Sequence, residues 1–180
     1  MGYPKIINKS KKVISPWVQV VEKEVIFDED GKKEVYHGIT QNDYVAVLAI
    51  DSDGLIPIVK QYRPIVESYT WEFPAGTIDG DETPLQAAKR ELEEESGYTG
   101  GSWEVLGQNW PDTGRLDLKA YNFFARDVVL LDMPQNSELE TRSVKPLELK
   151  NMINEGEFSH QLHIALIGAV LSKGINVFSL

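Results

Sequence analysis

Residues 74–98 read PAGTIDGDETPLQAAKRELEEESGY, a loop that leads into a stretch bearing the start and stop marks of a helix. Thr83 stands where an N-cap hydroxyl is needed, Pro84 takes the first helical position, and Gln86 completes a capping box. Gly97 supplies the left-handed residue that ends a helix, so 84–96 is predicted helical. At about 100° per residue, Glu91 and Glu95 lie about 40° apart, with Glu94 about 60° to the other side of Glu91. Three carboxylates therefore share one face, beside an apolar stripe of Leu85, Ala88 and Leu92 that would pack on a sheet. Like charges at this spacing cost roughly a few tenths of a kcal/mol per pair, which a cation would relieve. Oxygen donors with no Cys or His beside them suit a hard divalent cation, Mg²⁺ or Mn²⁺, which shares its coordination with substrate phosphates. Taken alone, however, a run such as ELEEE is more often a solvated helix face.

Outward from this helix the chain alternates between strand and turn signals. Residues 18–27 and 34–40 flank the turn cluster Asp28-Glu29-Asp30-Gly31 and are predicted to form a hairpin. The apolar run YVAVLAI at 44–50 reads as a central strand, with 55–62 as its hairpin partner across Asp51-Ser52-Asp53-Gly54. Short strands are expected at 69–73, 103–106, 120–130 and 140–144, and helices at 147–154 and 162–171. The order predicts an α+β fold, a mixed β-sheet sandwiched between helices, with the 84–96 helix on one face and the last helix on the other. No repeat or linker divides the chain, so 1–180 is expected to be a single domain.

Composition narrows the function. Lys and Arg number 18 against 28 Asp and Glu, a net charge of −10 that disfavours a nucleic-acid partner. The absence of cysteine excludes disulfides, thiolate metal sites and a Cys nucleophile, and no apolar run approaches the roughly 20 residues of a membrane span. A cytoplasmic protein is expected. His37, His160 and His163 are too few and too scattered for a zinc site, and His160 and His163, at i and i+3, are expected to cap the last helix or face solvent on it.

The helix and the loop before it resemble a known signature. Gly76, five residues, Glu82, seven residues, then Arg90-Glu91-Leu92-Glu93-Glu94-Glu95-Ser96-Gly97-Tyr98 is similar to the Nudix box of hydrolases that cleave nucleoside diphosphates linked to another group. Tyr98 departs from it, since the family more often has a branched aliphatic residue there. The resemblance implies that Glu91 and Glu95 are metal ligands, joined by the main-chain carbonyl of Ala75. Glu94 would be a further ligand or an orienting carboxylate in catalysis. Arg90 and Glu82 would tie loop to helix, with Gly76 permitting the tight loop.

Beyond the box, Lys60-Gln61-Tyr62-Arg63-Pro64 and Trp71-Glu72-Phe73-Pro74-Ala75-Gly76 resemble the ADP-ribose and nucleotide-sugar pyrophosphatase branch. That likeness implies hydrolysis of the pyrophosphate bond of ADP-ribose or a related nucleoside diphosphate sugar, giving a nucleoside monophosphate and a sugar phosphate. Arg63 and Glu72 would belong to the substrate site, with Arg63 on the diphosphate; an ion pair of Arg63 with Glu67 or Glu72 is the plainer reading. The N-terminal antiparallel hairpin (1–40) would build a homodimer and offer Trp17 to stack a base, a dimer contact or a core aromatic being the alternatives. The general base would come from the acidic stretch Ser137-Glu138-Leu139-Glu140, as Glu138 or Glu140. Thr113 stands where the branch usually has proline, and Pro111 is displaced by two. A different nucleoside diphosphate derivative such as GDP-mannose, or a non-catalytic nucleotide-sensing module on the same fold, are the competing readings.

Overall fold

A computed structural model describes residues 4–131, 134 and 138–179. These form two compact units, residues 4–43 with 110–119, and residues 44–109 with the described residues from 120 to 179.

The first unit is an antiparallel meander of β1 (Lys5–Ser15), β2 (Val18–Ile26) and β3 (Lys33–Thr40). The hairpin expected from 18–40 is β2 with β3, in register from Gln19 opposite Thr40 to Ile26 opposite Lys33. β1 was not expected. Its sequence KIINKSKKVIS is exposed almost throughout, so no buried face imposes the alternation by which a strand is recognised. The segment 110–119 lies along β3: Ile39 N–H donates to Arg115 O at 2.7 Å, and Asp117 N–H donates to Ile39 O at 2.8 Å. Lys23 reaches the Asp117 carboxylate at 3.1 Å.

The second unit holds β4 (Tyr44–Asp51), β5 (Ile56–Arg63), β6 (Ser68–Glu72), β7 (Ala75–Thr77), β8 (Tyr98–Asn109), β9 (Ala120–Leu130) and β10 (Glu140–Val144), with α1 (Pro84–Ser96), α2 (Pro146–Glu155) and α3 (Gln161–Ser172). A mixed sheet runs β7-β4-β9-β8 and a second sheet β10-β5-β6. β4 is central, antiparallel to β7 and parallel to β9, which is why its sequence is apolar on both faces. Val45, Val47 and Ala49 pack with Ala87, Ala88 and Leu92 of α1. Ala46, Leu48 and Ile50 point the other way, into a cluster with Phe73, Phe158 and Leu166 and Val170 of α3. The two helices thus take opposite faces of β4, as the sequence predicts.

The expected pairing of 44–50 with 55–62 is corrected. The turn between them exists: Asp51 Oδ1 accepts the N–H groups of Asp53 at 3.0 Å and Leu55 at 2.8 Å. The strands then part into different sheets, because β4 finds β7 and β9 while β5 finds β6 and β10. Turn chemistry is local, whereas strand partners are chosen by burial elsewhere. Among the described residues no helix is long and apolar enough to cross a membrane.

Candidate active site on the first helix

α1 is anchored at both ends as its sequence demands. Thr83 Oγ1 accepts the Gln86 N–H at 3.3 Å, Gln86 Oε1 accepts the Thr83 N–H at 2.8 Å, and Gly97 closes the helix at φ 74°. The preceding loop is held at the sheet edge by β7, where Ala75 pairs with Ala46. Loop and helix meet at Ala75 and Gly76. Ala75 N–H donates to Glu95 Oε2 at 3.0 Å, and the Glu91 carboxylate occupies the space that a Cβ on residue 76 would fill. A side chain at 76 would therefore displace the Glu91 carboxylate from this position.

The electrostatics of this junction are unbalanced. Glu91 and Glu95 are only 8% and 9% exposed. Burial pushes the Glu95 carboxyl up to about 7, the Glu91 and Glu72 charges push the same way, and the Ala75 N–H and Arg63 oppose them. Glu91 is also raised, by burial above all, with Arg90 opposing. Arg90 is the cation that serves this face: it bonds Glu82 through Nε at 3.2 Å and Nη2 at 2.6 Å, Glu91 at 2.7 Å and Glu94 at 3.1 Å. A further Arg90 N–H reaches Thr77 O at 3.0 Å, so this residue clasps loop to helix. One guanidinium is bonded to three carboxylates and lies 3.9 Å from a fourth, that of Asp79, while Glu95 makes no bond to it. Two buried carboxylates that resist ionisation, beside a more exposed Glu94, are a donor set that fits a hard divalent cation.

A second acidic group lies across the loop. Glu72 is fully buried, and it accepts from Arg63 Nε at 2.8 Å and Nη2 at 2.5 Å, and from Thr70 Oγ1 at 2.5 Å. Burial pushes the Glu72 carboxyl up, but the Arg63 and Thr70 bonds outweigh it and hold the group below its ordinary value. Of the two ion-pair partners expected for Arg63, the structure selects Glu72. Both Glu72 oxygens are engaged within the chain, and the pair orients Arg63, whose side chain stays partly exposed.

The remaining sequence candidates are dispersed. Trp17 is 76% exposed at the turn between β1 and β2, which excludes a core aromatic. Glu138 and Glu140 are exposed, Glu140 pairing with Lys60 at 3.1 Å, while Ser137 lies outside the described residues. Thr141, which the sequence did not single out, brings β10 to the helix: its Oγ1 donates to Glu95 O at 2.9 Å. Tyr98 is accommodated despite its departure from the box: its ring is buried in the cluster that holds Leu92, while its hydroxyl bonds Ser143 at 2.9 Å and Asp51 at 3.3 Å.

The histidine expectation is corrected. His163 is 1% exposed and does not face solvent; it accepts a backbone N–H, and burial first and His160 second push it down to about 3. His160 occupies the N-cap position of α3 without a side-chain cap bond. Contrary to their scatter in sequence, one ligand atom each of Glu72, His160 and His163 lie within 4.8 Å of one another. This grouping does not suit a metal, because the Glu72 oxygens are bound to Arg63 and Thr70 and the His163 Nδ1 lone pair is taken.

In the first unit, Thr113 lines a cavity of about 410 Å³ together with Lys23, Tyr36, His37, Trp110 and Arg115. Trp110, Thr113 and Arg115 of the WPDTGR loop, which its resemblance to the branch associates with the sugar or terminal moiety, thus contribute to this lining.

The family model of the NUDIX domain matches residues 40–162. An ADP-ribose pyrophosphatase of Bacillus subtilis (strain 168) is 34% identical over 123 residues, 68% of this chain and 64% of that protein. An ADP-sugar pyrophosphatase of Mus musculus is 38% identical over 104 residues, 51% of this chain and 47% of that protein. This chain thus spans less than two thirds of either relative. The crystal structure of an ADP compounds hydrolase superposes with a TM-score of 0.81, covering 95% of both chains at 22% identity, which speaks to the fold alone. The match to the domain model extends over most of the chain, with the Glu91–Glu95 helix inside it, and the chain belongs to the NUDIX domain family.

Proposed function

We propose that this protein hydrolyses the pyrophosphate bond of ADP-ribose or a related nucleoside diphosphate sugar, with Mg²⁺ or Mn²⁺ held by Glu91, Glu95, Glu94 and the Ala75 carbonyl. The observation that carries this reading is the buried pair Glu91 and Glu95, packed on the Ala75–Gly76 loop without enough positive charge to ionise freely. The similarity to pyrophosphatases acting on ADP-ribose and ADP-sugars supports the substrate class. A divalent cation in that position offsets charge on the phosphoryl oxygens and on the attacking water.

The chain's own residues supply the rest. Arg63, oriented by Glu72, binds the diphosphate through the part of its guanidinium that remains exposed. Water adds to one phosphorus, the bridging P–O bond breaks, and the water proton passes to a carboxylate, leaving a nucleoside monophosphate and a sugar phosphate. Glu138 or Glu140 takes that proton; Thr141 ties the strand next to Glu140 to the helix end at Glu95, which favours this stretch. The N-terminal sheet is proposed to pair with its counterpart in a second copy and to present Trp17 to a base, the whole of 1–180 acting as one catalytic domain in the cytoplasm.

The test is product chromatography on a panel containing ADP-ribose, ADP-sugars and GDP-mannose, with Mg²⁺ and with EDTA. AMP and ribose 5-phosphate formed only with the metal support the reading, and cleavage of GDP-mannose alone moves the substrate. Binding without turnover of any member leaves a nucleotide-sensing module. Replacing the true base among Glu138 and Glu140 by Gln should lower kcat by roughly 10²–10⁴-fold, the other change being nearly silent.

A further inference from the structure

Between the two sheets of the second unit the chain makes a crossover of only two residues. β6 ends at Glu72, still opposite Val59 of β5, and β7 begins at Ala75, opposite Ala46 of β4. Pro74 has no N–H, and its carbonyl is fixed by the Val47 N–H at 3.0 Å. The remaining donor is the Phe73 N–H, which belongs to neither ladder. It is met by His163, on α3 and 90 residues further along the chain, whose Nδ1 accepts it at 2.9 Å.

The surroundings suit an acceptor of fixed direction. The Phe73 side chain is fully buried against Phe158, with ring centroids 4.9 Å apart. The His163 ring stacks on Phe73 at 5.8 Å and on His160 at 4.2 Å, which fixes its plane. On one side of the pinned N–H is the carboxylate that orients Arg63; on the other is the Ala75 segment that meets Glu95.

We propose that His163 is a positioning residue for the candidate active site: by accepting the Phe73 N–H it sets where the crossover lies, and so aligns the Arg63–Glu72 pair and the Ala75 loop against α1. The inference rests on the function proposed above. A neutral imidazole is the form that serves, since a lone pair on Nδ1 requires the ring proton on Nε2, and burial keeps the ring neutral at ordinary pH. An apolar residue of similar volume would fill the space and leave a buried N–H unpaired, so volume and acceptor can be separated by substitution.

The experiment compares wild type, His163→Leu and His163→Asn as full-length proteins. Leu supplies bulk without an acceptor, whereas the Asn Oδ1 lies close to the place of Nδ1 and supplies an acceptor with less bulk. Three readouts are taken: Mn²⁺ affinity by electron paramagnetic resonance without substrate, kcat and KM separately, and thermal unfolding by far-UV circular dichroism. Loss of the acceptor should weaken Mn²⁺ binding and lower kcat by roughly 10–100-fold, the range for groups that orient ligands from behind. His163→Asn should recover most of both even if it melts lower than His163→Leu. Activity and metal affinity would then follow the acceptor, whereas stability would follow volume.

The inference is overturned if His163→Leu keeps wild-type Mn²⁺ affinity and kcat, or if folded His163→Asn is no better than His163→Leu. Should His163→Leu not fold, His163→Asn decides alone: Mn²⁺ affinity within about twofold of wild type supports the role, and a roughly tenfold loss overturns it. Wild-type protein that neither binds Mn²⁺ nor cleaves any nucleoside diphosphate sugar defeats the function proposed above, whereas normal wild-type behaviour with indifferent variants defeats this inference.

Discussion

Glu72 and Glu95 are both buried glutamates at the two ends of one short crossover, yet their surroundings treat their charge in opposite ways. Glu72 receives two bonds from Arg63 and one from Thr70, and its carboxyl is held below the ordinary range. Glu95 receives one bond, from a backbone N–H, and burial pushes it up to about 7. The fold has completed the first ion pair from its own side chains and has left the second incomplete. A buried carboxylate that is costly to ionise, and next to another of the same kind, is the feature on which the proposed cation site rests.

The largest expected effect tests that contrast directly. Glu95→Gln should keep the fold and lower turnover by roughly 10²-fold or more, because cation stabilisation of a phosphoryl transition state contributes several kcal/mol. Glu72→Gln should do the reverse in kind. It leaves Arg63 without its counter-charge and should destabilise the protein by about 3 kcal/mol, at the low end for a broken buried pair because Arg63 is partly exposed. Denaturant unfolding and steady-state kinetics on both variants separate the roles. Equal losses of stability with equal activities would erase the distinction.

The pH dependence sharpens it. A carboxyl raised from 4.5 to about 7 on folding contributes stability that is complete below about pH 4.5 and lost as pH rises through 7. Glu72 has the opposite sign: its contribution is present above about pH 4.5 and is lost as pH falls through its lowered value. Of these two carboxyls only Glu95 titrates between pH 5.5 and 8, and in metal-free protein it should remove on the order of 2 kcal/mol over that interval, opposed by buried His163, whose lowered value makes stability rise with pH through its ordinary 6.5. Mg²⁺ should raise the melting temperature more at pH 8 than at pH 5.5, and Glu95→Gln should remove the component of the metal-free profile that falls with rising pH, leaving the rise from His163 and His160. A wild-type profile in EDTA that matches that of Glu95→Gln would show that Glu95 ionises without difficulty.

The same contrast explains what could be read from the sequence. The 84–96 helix was legible because its signals are local, from the Thr83 cap to Gly97, and Glu91 and Glu95 follow from helical geometry once the helix is placed. Ala75 and Gly76 were legible only through resemblance, since nothing local says that a glutamate fifteen residues on will need the space of a side chain at 76. His163 was misread because the sequence of α3, QLHIALIGAVLS, carries little amphipathic contrast and offers no face to assign. Its partner, a backbone N–H at a crossover between two sheets, leaves no trace in residue types. The separation of β4 from β5 was hidden for a related reason: the Asp51 turn is genuine, but the pairing of β4 with β9 depends on residues more than seventy positions away.

The smallest effect concerns Thr70, and it asks whether the Glu72 side of the comparison is truly a matter of charge. Thr70 Oγ1 donates to Glu72 Oε1 at 2.5 Å, a bond to an ionised acceptor whose own side chain is fully buried. Thr70→Val preserves shape and strand preference while deleting the donor, and should cost about 1–2 kcal/mol at pH 7. Arg63 would still hold the carboxylate, so the loss should stay well short of that in Glu72→Gln. The cost should shrink as pH falls through the lowered Glu72 value, because a protonated carboxyl no longer depends on that donor. Unfolding at pH 7 and near pH 3 gives the two numbers needed. If the cost is the same at both, the hydroxyl supports packing rather than the carboxylate's charge, and the completed pair rests on Arg63 alone; if it shrinks, Glu72 is an anion whose charge the fold satisfies from two directions, which Glu95 is not.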